Sequence, residues 1–377
     1  MVQYVDVDIK AKDHHYTIDV GQGVLETIAD NLSNQEELES IGIKPNPRLL
    51  IITDSNVKPL YADSLEISLR EHGLKVQTYP ARAGEQSKSR QTRDKIENWM
   101  LEQGYDRNTV ILAVGGGVVG DLAGTVAYEF LRGIHYIQVP TTLLAQVDSS
   151  VGGKVAVNTP KGKNLIGGFW NPSRVYADPR TLLTLDKRNL RAGLAEVIKY
   201  GIILDKEFFE YLQQNIDKIL ARDLDVLTEA IISSCELKAN VVMQDPEERL
   251  GNRMILNFGH TIGHAVEQAS GYKLYHGEAV AIGMMAEARI AVADYGFPEG
   301  HFLALNQLVE KAGLPTRIPL DILNKEIIML VSRDKKAKQG RARFPLPAEI
   351  GKMHKFDAAY ADFVDNDIIL QALDKTR

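Results

Sequence analysis

The sequence has little of several features that define particular classes of protein. It contains one cysteine, Cys235, in 377 residues, so it cannot form an intramolecular disulfide and fits a reducing compartment. No apolar run approaches the ~18 residues needed to cross a bilayer, and the first residues lack the apolar core of a signal peptide. We therefore expect a cytoplasmic protein without a membrane partner.

Basic residues are outnumbered as well. The 44 Lys and Arg residues face 50 Asp and Glu residues, which gives a formal net charge of −6. This balance argues against a general nucleic-acid binder, because nucleic-acid-binding domains are normally basic. It does not exclude an anionic small molecule, since the charge of a pocket can oppose that of the whole chain.

What the sequence does contain is two different patterns of apolar residues. Short β-branched runs at 49–53, 109–114 and 134–139 alternate with helical stretches at 89–103 and 118–131, which is typical of a parallel sheet covered on both faces. Helical patterns then dominate, at 191–203, 206–220, 223–243, 258–269, 277–295 and 299–312. We predict an α/β domain with a parallel-rich sheet over residues 1–180 and a mostly α-helical domain over residues 181–377.

Three consecutive glycines follow the second apolar run. The segment 115–120 has the pattern G-x-G-x-x-G between a strand and a helix, where glycines let the backbone approach a pyrophosphate and the helix N-terminus offers N–H groups. An ordinary Rossmann unit also has an acid about 20 residues further on, but none occurs in 139–142, and Asp121 follows the last glycine instead. We predict a dinucleotide site of a non-standard type; a tight turn without a ligand is the alternative.

A group of histidines marks the helical half. His260 and His264 are spaced i, i+4, which places both imidazoles on one helix face, and His276 begins the next helical stretch. Such a set predicts a metal site, and spacing alone makes His260 and His264 ligands. Thr261 stands where a zincin has its glutamate, which disfavours that type of hydrolysis.

A buried-looking acid and two glycine-containing polar segments are further candidates for a binding site. Glu196 lies in an apolar helix and could complete the metal sphere, although an ion pair with Lys199 on the next turn also accounts for it. The segments 146–154 and 160–168 combine glycine with lysine, hydroxyl and amide side chains. Each alone fits a surface loop, but together they indicate loops that hold a polyhydroxylated or phosphorylated ligand.

Cys235 has no activating neighbour, so we expect it to be buried and inert.

Several strings along the chain resemble the sugar phosphate cyclases, and within them the 3-dehydroquinate synthases of the shikimate pathway, which leads to chorismate and the aromatic amino acids. The resemblance extends from about residue 50 to 350, with matches at 115–121, 138–144, 147–154, 162–167, 195–201, 256–264 and 276–280. It implies a Rossmann-like NAD-binding α/β domain followed by a helical metal-binding domain, usually in a homodimer. This agrees with the division predicted from the apolar pattern.

The resemblance also implies roles for the residues singled out above. It makes Glu196, His260 and His276 the ligands of a divalent metal, zinc or cobalt. It gives His264 a proton-handling role in place of the metal-binding role that spacing suggests. The catalytic set that it implies is His264, Glu248, Lys154, Lys199 and Asn164.

One departure from the family pattern leaves an alternative open. The stretch from Lys238 to Arg253 is about one residue longer than in that pattern. The second acid or base is therefore Glu248 or its neighbour Glu247.

Larger groups of residues are assigned to the two organic ligands by the same resemblance. NAD is expected to contact Asp54, Asn56, Glu85, Lys88, Gly116, Gly117, Val118, Asp121, Thr141, Thr142, Lys163, Thr181 and Thr184. The substrate is expected to contact Arg132, Asp148, Lys154, Asn164, Lys199, Lys238, Arg253, Asn257 and Lys335 or Lys336. Arg132 is expected to reach the phosphate group from the neighbouring subunit. So many cations would make the cleft between the domains positive despite the net charge of −6.

The activity implied by the resemblance is that of a lyase, a phosphate-eliminating cyclase. Its substrate is the phosphorylated sugar acid 3-deoxy-D-arabino-heptulosonate 7-phosphate, and its product is 3-dehydroquinate. NAD oxidises the substrate transiently, phosphate is eliminated, NADH returns its hydride, and an intramolecular aldol reaction closes the ring. The alternatives are a sister cyclase acting on sedoheptulose 7-phosphate or glucose 6-phosphate, a metal-dependent polyol dehydrogenase, and a non-catalytic metal- or nucleotide-binding regulator.

Overall fold

A parallel sheet forms the centre of the N-terminal half. The computed structural model describes residues 15–332, 342–356 and 359–377. Within them the sheet strands are β1 (Thr17–Val20), β2 (Arg48–Asp54), β3 (Lys75–Ala81), β4 (Thr109–Gly115), β5 (His135–Pro140) and β8 (Arg174–Ala177). Their order across the sheet is β1-β8-β5-β4-β2-β3, and every pairing is parallel. The three strands predicted from the sequence are β2, β4 and β5.

Both faces of this sheet are covered, because its strands are apolar on both sides. Leu49 and Ile51 pack on one face, whereas Leu50 and Ile52 pack on the other. The covering helices are α1 (Ile28–Ser33), α2 (Gln35–Ser40), α3 (Asp63–Glu71), α4 (Arg90–Glu102) and α5 (Gly117–Glu129). The chain passes from β2 outward to β3 and then returns to β4 on the other side of β2. Such a reversal opens a crevice at the carboxyl ends of the strands, where ligands bind in sheets of this kind.

The second half of the molecule is helical, as predicted. Its helices are α6 (Lys187–Leu204), α7 (Lys206–Leu220), α8 (Leu224–Gln244), α9 (His260–Ala269), α10 (His276–Asp294), α11 (Glu299–Lys311), α12 (Asn324–Ser332) and α13 (Asn366–Lys375). Short strands accompany them: β9 (Arg343–Phe344), β10 (Pro347–Glu349), β11 (Lys352–Met353) and β12 (Asp362–Phe363). Among the described residues, no helix has both the length and the apolar character to cross a membrane.

Two features differ from the sequence interpretation. Segment 160–168, interpreted as a glycine-rich loop, lies largely in β7 (Gly162–Phe169), which pairs antiparallel with β6 (Lys154–Thr159) as a hairpin; of segment 146–154, only Lys154 belongs to that hairpin. Its glycines are required by packing, since a Cβ on Gly167 would lie 1.9 Å from the backbone oxygen of Val155. In addition, Leu143 and Val147, from the segment after β5, pack in the core of the helical half. The polar segment that follows β5 is therefore held between the two halves.

Glycines also allow three helices to meet closely. A Cβ on Gly277, at the start of α10, would lie 1.9 Å from the backbone oxygen of Ala192 in α6. A Cβ on Gly283 would lie 1.9 Å from the backbone oxygen of Gly259, directly before α9. The absence of these side chains brings the first residues of α9 and α10 against the middle of α6.

Candidate active site

The predicted metal-binding side chains meet where these three helices pack. Glu196 lies in α6, and His260 and His276 are the first residues of α9 and α10. The Nε2 atoms of His260 and His276 lie 3.3 and 3.5 Å from the same carboxylate oxygen of Glu196. Side chains that are far apart in the sequence thus surround one point.

Glu196 is fully buried between these histidines. One of its oxygens lies against the Lys199 ammonium, yet within the described residues neither oxygen accepts a hydrogen bond of normal geometry. Burial by itself would raise the pKa of Glu196, but Lys199 and His260 hold that pKa well below its ordinary value. A buried carboxylate with unused acceptor sites, beside two imidazoles, fits a divalent ion such as zinc or cobalt.

A third imidazole leaves a choice of ligands. His260, His264 and His276 each offer a nitrogen within 4.8 Å of the other two. His264 is exposed, however, whereas His260 and His276 are partly buried. The geometry therefore allows a three-histidine set or a set of Glu196, His260 and His276, with His264 on the solvent side.

The helix that carries His260 is held by a buried acid that sequence reasoning missed. Glu287 accepts hydrogen bonds from the backbone N–H of Gly259 at 2.7 Å and from that of Ile262 at 3.0 Å. Burial raises the pKa of Glu287 to about 8, although these N–H groups oppose the rise. A charged residue within the apolar stretch 279–288 is the signal that could have identified it.

A second missed acid touches His276. Glu267, in α9, places one carboxylate oxygen 3.4 Å from His276 Nδ1, and its other oxygen lies 2.5 Å from Lys163 Nζ. Burial alone would raise the pKa of Glu267, but His276 and Lys163 hold it at about 2. Burial alone would lower the pKa of His276. The carboxylates of Glu196 and Glu267 outweigh this effect and raise the pKa of His276 to about 10.

A cluster of buried ions lies beside the metal-site candidates. Lys238 Nζ lies 2.6 Å from a carboxylate oxygen of Asp148 and 2.5 Å from its backbone oxygen. The Tyr200 hydroxyl donates to the same carboxylate oxygen at 2.7 Å. Burial would raise the pKa of Asp148, but Lys238 lowers it to about 2. These contacts tie the segment after β5 to α6 and α8; Tyr200 was not predicted.

Two predicted substrate-binding residues keep polar atoms without partners. Arg253 is 2% exposed, and its NH1 donates to the backbone oxygen of Pro246 at 2.8 Å. Within the described residues its Nε atom has no acceptor, and Asn257 Nδ2 has none either. Because buried polar atoms are normally satisfied, these donors fit an anionic or hydroxylated ligand.

The structure distinguishes between the two candidates for the second acid or base. Glu248 Oε2 lies 2.5 Å from Lys154 Nζ at the start of the hairpin. Glu247 pairs instead with Arg249 and is about half exposed. Glu248 is therefore the residue that lies with the other predicted catalytic side chains.

Except for Lys163 in β7, the predicted NAD-binding residues lie along the carboxyl edge of the sheet. They follow β2, β3, β4, β5 and β8, on both sides of the crevice between β2 and β4. Helix α5 begins at Gly117 without a side-chain cap, and in the described residues the hydroxyls of Thr141 and Ser149 lack partners. Lys88 contacts Asp121 and donates to Asn164 Oδ1 at 2.5 Å. Free N–H and hydroxyl groups at this edge fit a dinucleotide phosphate.

Some predicted contact residues are engaged elsewhere. The Asp54 carboxylate accepts the backbone N–H groups of Asn56 and Val57, and Glu85 accepts from Asn158 at 2.7 Å. Lys163, predicted to contact NAD, pairs with Glu267. Thr181 and Thr184 both contact the Tyr61 hydroxyl.

Other predicted site residues make no contact with these side chains or lie outside the described residues. Arg132 is exposed, in a left-handed backbone conformation with φ of 69°. Lys335 and Lys336 lie outside the described residues. Cys235 is buried, as predicted, and burial raises the pKa of its thiol to about 12.

The charge of the cleft is more balanced than the sequence suggested. Each of its described lysines lies against a carboxylate, in the pairs Lys88–Asp121, Lys154–Glu248, Lys163–Glu267, Lys199–Glu196 and Lys238–Asp148. Arg253 makes no ion pair with a described residue. Among the described residues, Arg253 is thus the cation of the cleft whose charge no carboxylate balances.

Comparison with known proteins identifies the family. The model of the 3-dehydroquinate synthase N-terminal domain matches residues 78–192, and that of the C-terminal domain matches residues 193–337. The chain belongs to the 3-dehydroquinate synthase family. A 3-dehydroquinate synthase from Desulforamulus reducens is 43% identical over 360 residues, 95% of this chain and 98% of the relative. One from Caldanaerobacter subterraneus subsp. tengcongensis is 48% identical over 307 residues, 81% and 86% of the two chains.

Solved structures share the whole fold. A 2-deoxy-scyllo-inosose synthase complexed with carbaglucose-6-phosphate, NAD+ and Co2+ has a TM-score of 0.86 at 29% identity, over 96% of both chains. ValA, a 2-epi-5-epi-valiolone synthase from Streptomyces hygroscopicus subsp. jinggangensis with NAD+ and Zn2+ bound, has a TM-score of 0.85 at 25% identity, over 99% of both chains. An iron-containing alcohol dehydrogenase, at 15% identity and a TM-score of 0.64, shares the fold alone.

Proposed function

We propose that this chain is a 3-dehydroquinate synthase, which converts 3-deoxy-D-arabino-heptulosonate 7-phosphate to 3-dehydroquinate and phosphate. The observation that carries the proposal is the buried Glu196, which lies between His260 and His276 beside a set of buried cations and accepts no hydrogen bond of normal geometry within the described residues. Relatives at 42–48% identity bear this name, whereas the sister cyclases among the solved structures are 25–29% identical. The single cysteine supports a cytoplasmic location.

The proposed cofactors are NAD and one divalent metal ion. Neighbours with the same fold carry NAD+ with Co2+ or Zn2+. NAD would supply a hydride acceptor and donor for a secondary alcohol of the substrate, and the divalent ion would supply a Lewis acid for the same alcohol. Glu196, His260 and His276 would hold the ion, and the N-terminus of α5 with Thr141 would hold the dinucleotide phosphates.

The substrate would lie between the metal site and the hairpin. Arg253 Nε and Asn257 Nδ2 supply buried donors that are not used within the described residues. Lys154 is half exposed at the start of β6, within reach of incoming solutes. Lysine and arginine bind phosphate and carboxylate through charge-assisted hydrogen bonds, so these groups orient an acidic sugar phosphate.

Proton transfer is assigned to His264 and Glu248. The exposed His264 imidazole lies on the solvent side of His260 and His276, where it can exchange a proton with the bound substrate. Glu248, 2.5 Å from Lys154, is the second acid or base. An imidazole serves this role because its ordinary pKa lies near neutral pH.

One assay tests the activity. The metal-loaded protein is incubated with the heptulosonate phosphate and a catalytic amount of NAD, and phosphate and dehydroquinate are measured together. We expect equal amounts of both products with no net accumulation of NADH. Stoichiometric NADH would indicate a dehydrogenase, and turnover of sedoheptulose 7-phosphate or glucose 6-phosphate in place of the heptulosonate would indicate a sister cyclase.

A further inference from the structure

Glu267 occupies a special place relative to His276. The two ring nitrogens of His276 face different carboxylates: Nε2 lies 3.5 Å from Glu196 Oε1, and Nδ1 lies 3.4 Å from Glu267 Oε2. One nitrogen thus points to the metal-site candidates and the other points away from them. An imidazole can bind a metal through one nitrogen while the other donates to an acceptor.

The position of Glu267 is itself well defined. The residue is 4% exposed and lies in α9, two helical turns after His260. Its second oxygen, Oε1, lies 2.5 Å from Lys163 Nζ, and that ammonium also lies 4.8 Å from the centre of the Tyr272 ring. Lys163 belongs to β7 of the hairpin, so the carboxylate is held from both halves of the molecule.

We propose that Glu267 is a positioning residue, which orients the His276 ring and increases its basicity toward the metal ion through Nδ1. A carboxylate on the far nitrogen of a ligating histidine selects the tautomer with Nε2 free for the metal, and loss of such a partner typically weakens metal binding roughly 10- to 100-fold. The inference rests on the proposed function, because it takes His276 as a metal ligand.

The test measures the affinity of the metal-free protein for Co2+, without NAD or substrate, by titration against a chelator. Glu267→Gln keeps the side-chain size but removes the charge. We expect it to bind Co2+ roughly 10- to 100-fold more weakly than wild type and to change the visible absorption of the bound Co2+. Glu267→Asp keeps the charge and should retain part of the affinity. Glu310→Gln, an exposed carboxylate in α11, is the control and should bind as wild type does.

Lys163→Met separates two explanations of a loss. It removes the bridge to the hairpin but leaves the carboxylate beside His276, so we expect its Co2+ affinity to stay within about threefold of wild type. A loss in Lys163→Met as large as that in Glu267→Gln would overturn the proposal, because the bridge would then be responsible. Unchanged Co2+ affinity in Glu267→Gln would overturn it as well.

The remaining outcomes are also decisive. If Glu267→Gln does not fold, as judged by circular dichroism, Glu267→Ala, which also removes the carboxylate, is measured in its place, and wild-type affinity there overturns the inference. Failure of the proposed function is distinguishable: wild-type protein that binds no Co2+, or His276→Ala that binds it as tightly as wild type, rejects the proposed ligand set. A third outcome rejects only the role of Glu267. In that case wild type binds Co2+ tightly, His276→Ala does not, and Glu267→Gln binds it as wild type does.

Discussion

At the scale of single residues, the division of labour among the histidines is the main question. His264 is exposed, whereas His276 contacts the buried Glu196. We predict that His276→Ala loses its bound metal, while His264→Ala keeps the metal and loses roughly 100-fold or more in kcat. Metal content and steady-state rates of the purified variants check this, with His72→Ala, a histidine at the end of α3, as control. Equal metal loss in both variants would contradict the assignment.

Glu97, which lies outside the candidate site, leads to a prediction about how the stability of the protein depends on pH. Burial raises the pKa of Glu97 in α4 to about 7, Glu129 adds to the rise, and Arg93 opposes it. A carboxyl whose pKa is raised on folding contributes fully to stability below its unfolded pKa, and that contribution is lost as the pH rises toward the folded pKa. Wild-type protein therefore loses stability between about pH 4.5 and 7 through this group.

Glu97→Gln removes that loss. We expect the free energy of unfolding of the variant, relative to wild type, to rise by about 1–3 kcal/mol between pH 4.5 and 7 and then to level off. Chemical denaturation at several pH values measures it. Glu102→Gln, an exposed carboxylate at the end of the same helix, should show no such rise; a difference independent of pH for Glu97→Gln would refute the prediction.

At the scale of elements, the contact between α6 and α10 sets the distance from Glu196 to His276. A Cβ at Gly277 would lie 1.9 Å from the Ala192 backbone oxygen, so the two helices must separate to admit it. We predict that Gly277→Ala costs about 1–3 kcal/mol of stability and weakens metal binding, because His276 moves with α10. Thermal unfolding and Co2+ titration measure the two effects.

Gly300→Ala in α11 is the matched control. Nothing lies within 4 Å of a Cβ at Gly300, and alanine restricts the unfolded chain more than glycine does. We expect it to leave metal binding unchanged and to be neutral or stabilising by up to about 1 kcal/mol. Wild-type metal affinity in Gly277→Ala would show that the close contact does not position His276.

At the scale of the whole molecule, the homodimer that the family resemblance implies leads to a specific prediction about Arg132. This residue is exposed, and in the described part of the chain it makes no hydrogen bond or ion pair. If it completes the site of the neighbouring subunit, Arg132→Ala and His264→Ala should each be nearly inactive alone. A mixed dimer would contain one intact site, so co-expression of the two in equal amounts should restore about a quarter of wild-type activity.

The measurement is the phosphate-release rate of the co-purified mixture. It is compared with the rate of each variant alone and with that of separately purified variants that are mixed without exchange of subunits. The oligomeric state, from light scattering, accompanies it. Absence of any gain on co-expression would show that Arg132 does not act in trans.

Much of the fold and of the site composition followed from local pattern. The strands β2, β4 and β5 are short β-branched runs, and α6 to α11 have helical periodicity, so nearby residues determine both. The glycine run at 115–117 and the pair His260 and His264 were visible for the same reason. These motifs also carried the resemblance that led to the family.

Tertiary structure decided what depends on distance in space. Only the tertiary structure shows that Glu196 meets His260 and His276 and that Glu248 rather than Glu247 meets Lys154. Residues 154–159 and 162–169 pair as a hairpin, which the sequence interpretation did not predict. It also brings Glu267 to His276 and Lys163. The sequence determined which chemical groups are available and on which elements they lie. The partners of each group depend on contacts between helices and strands far apart in the chain, which no local pattern encodes.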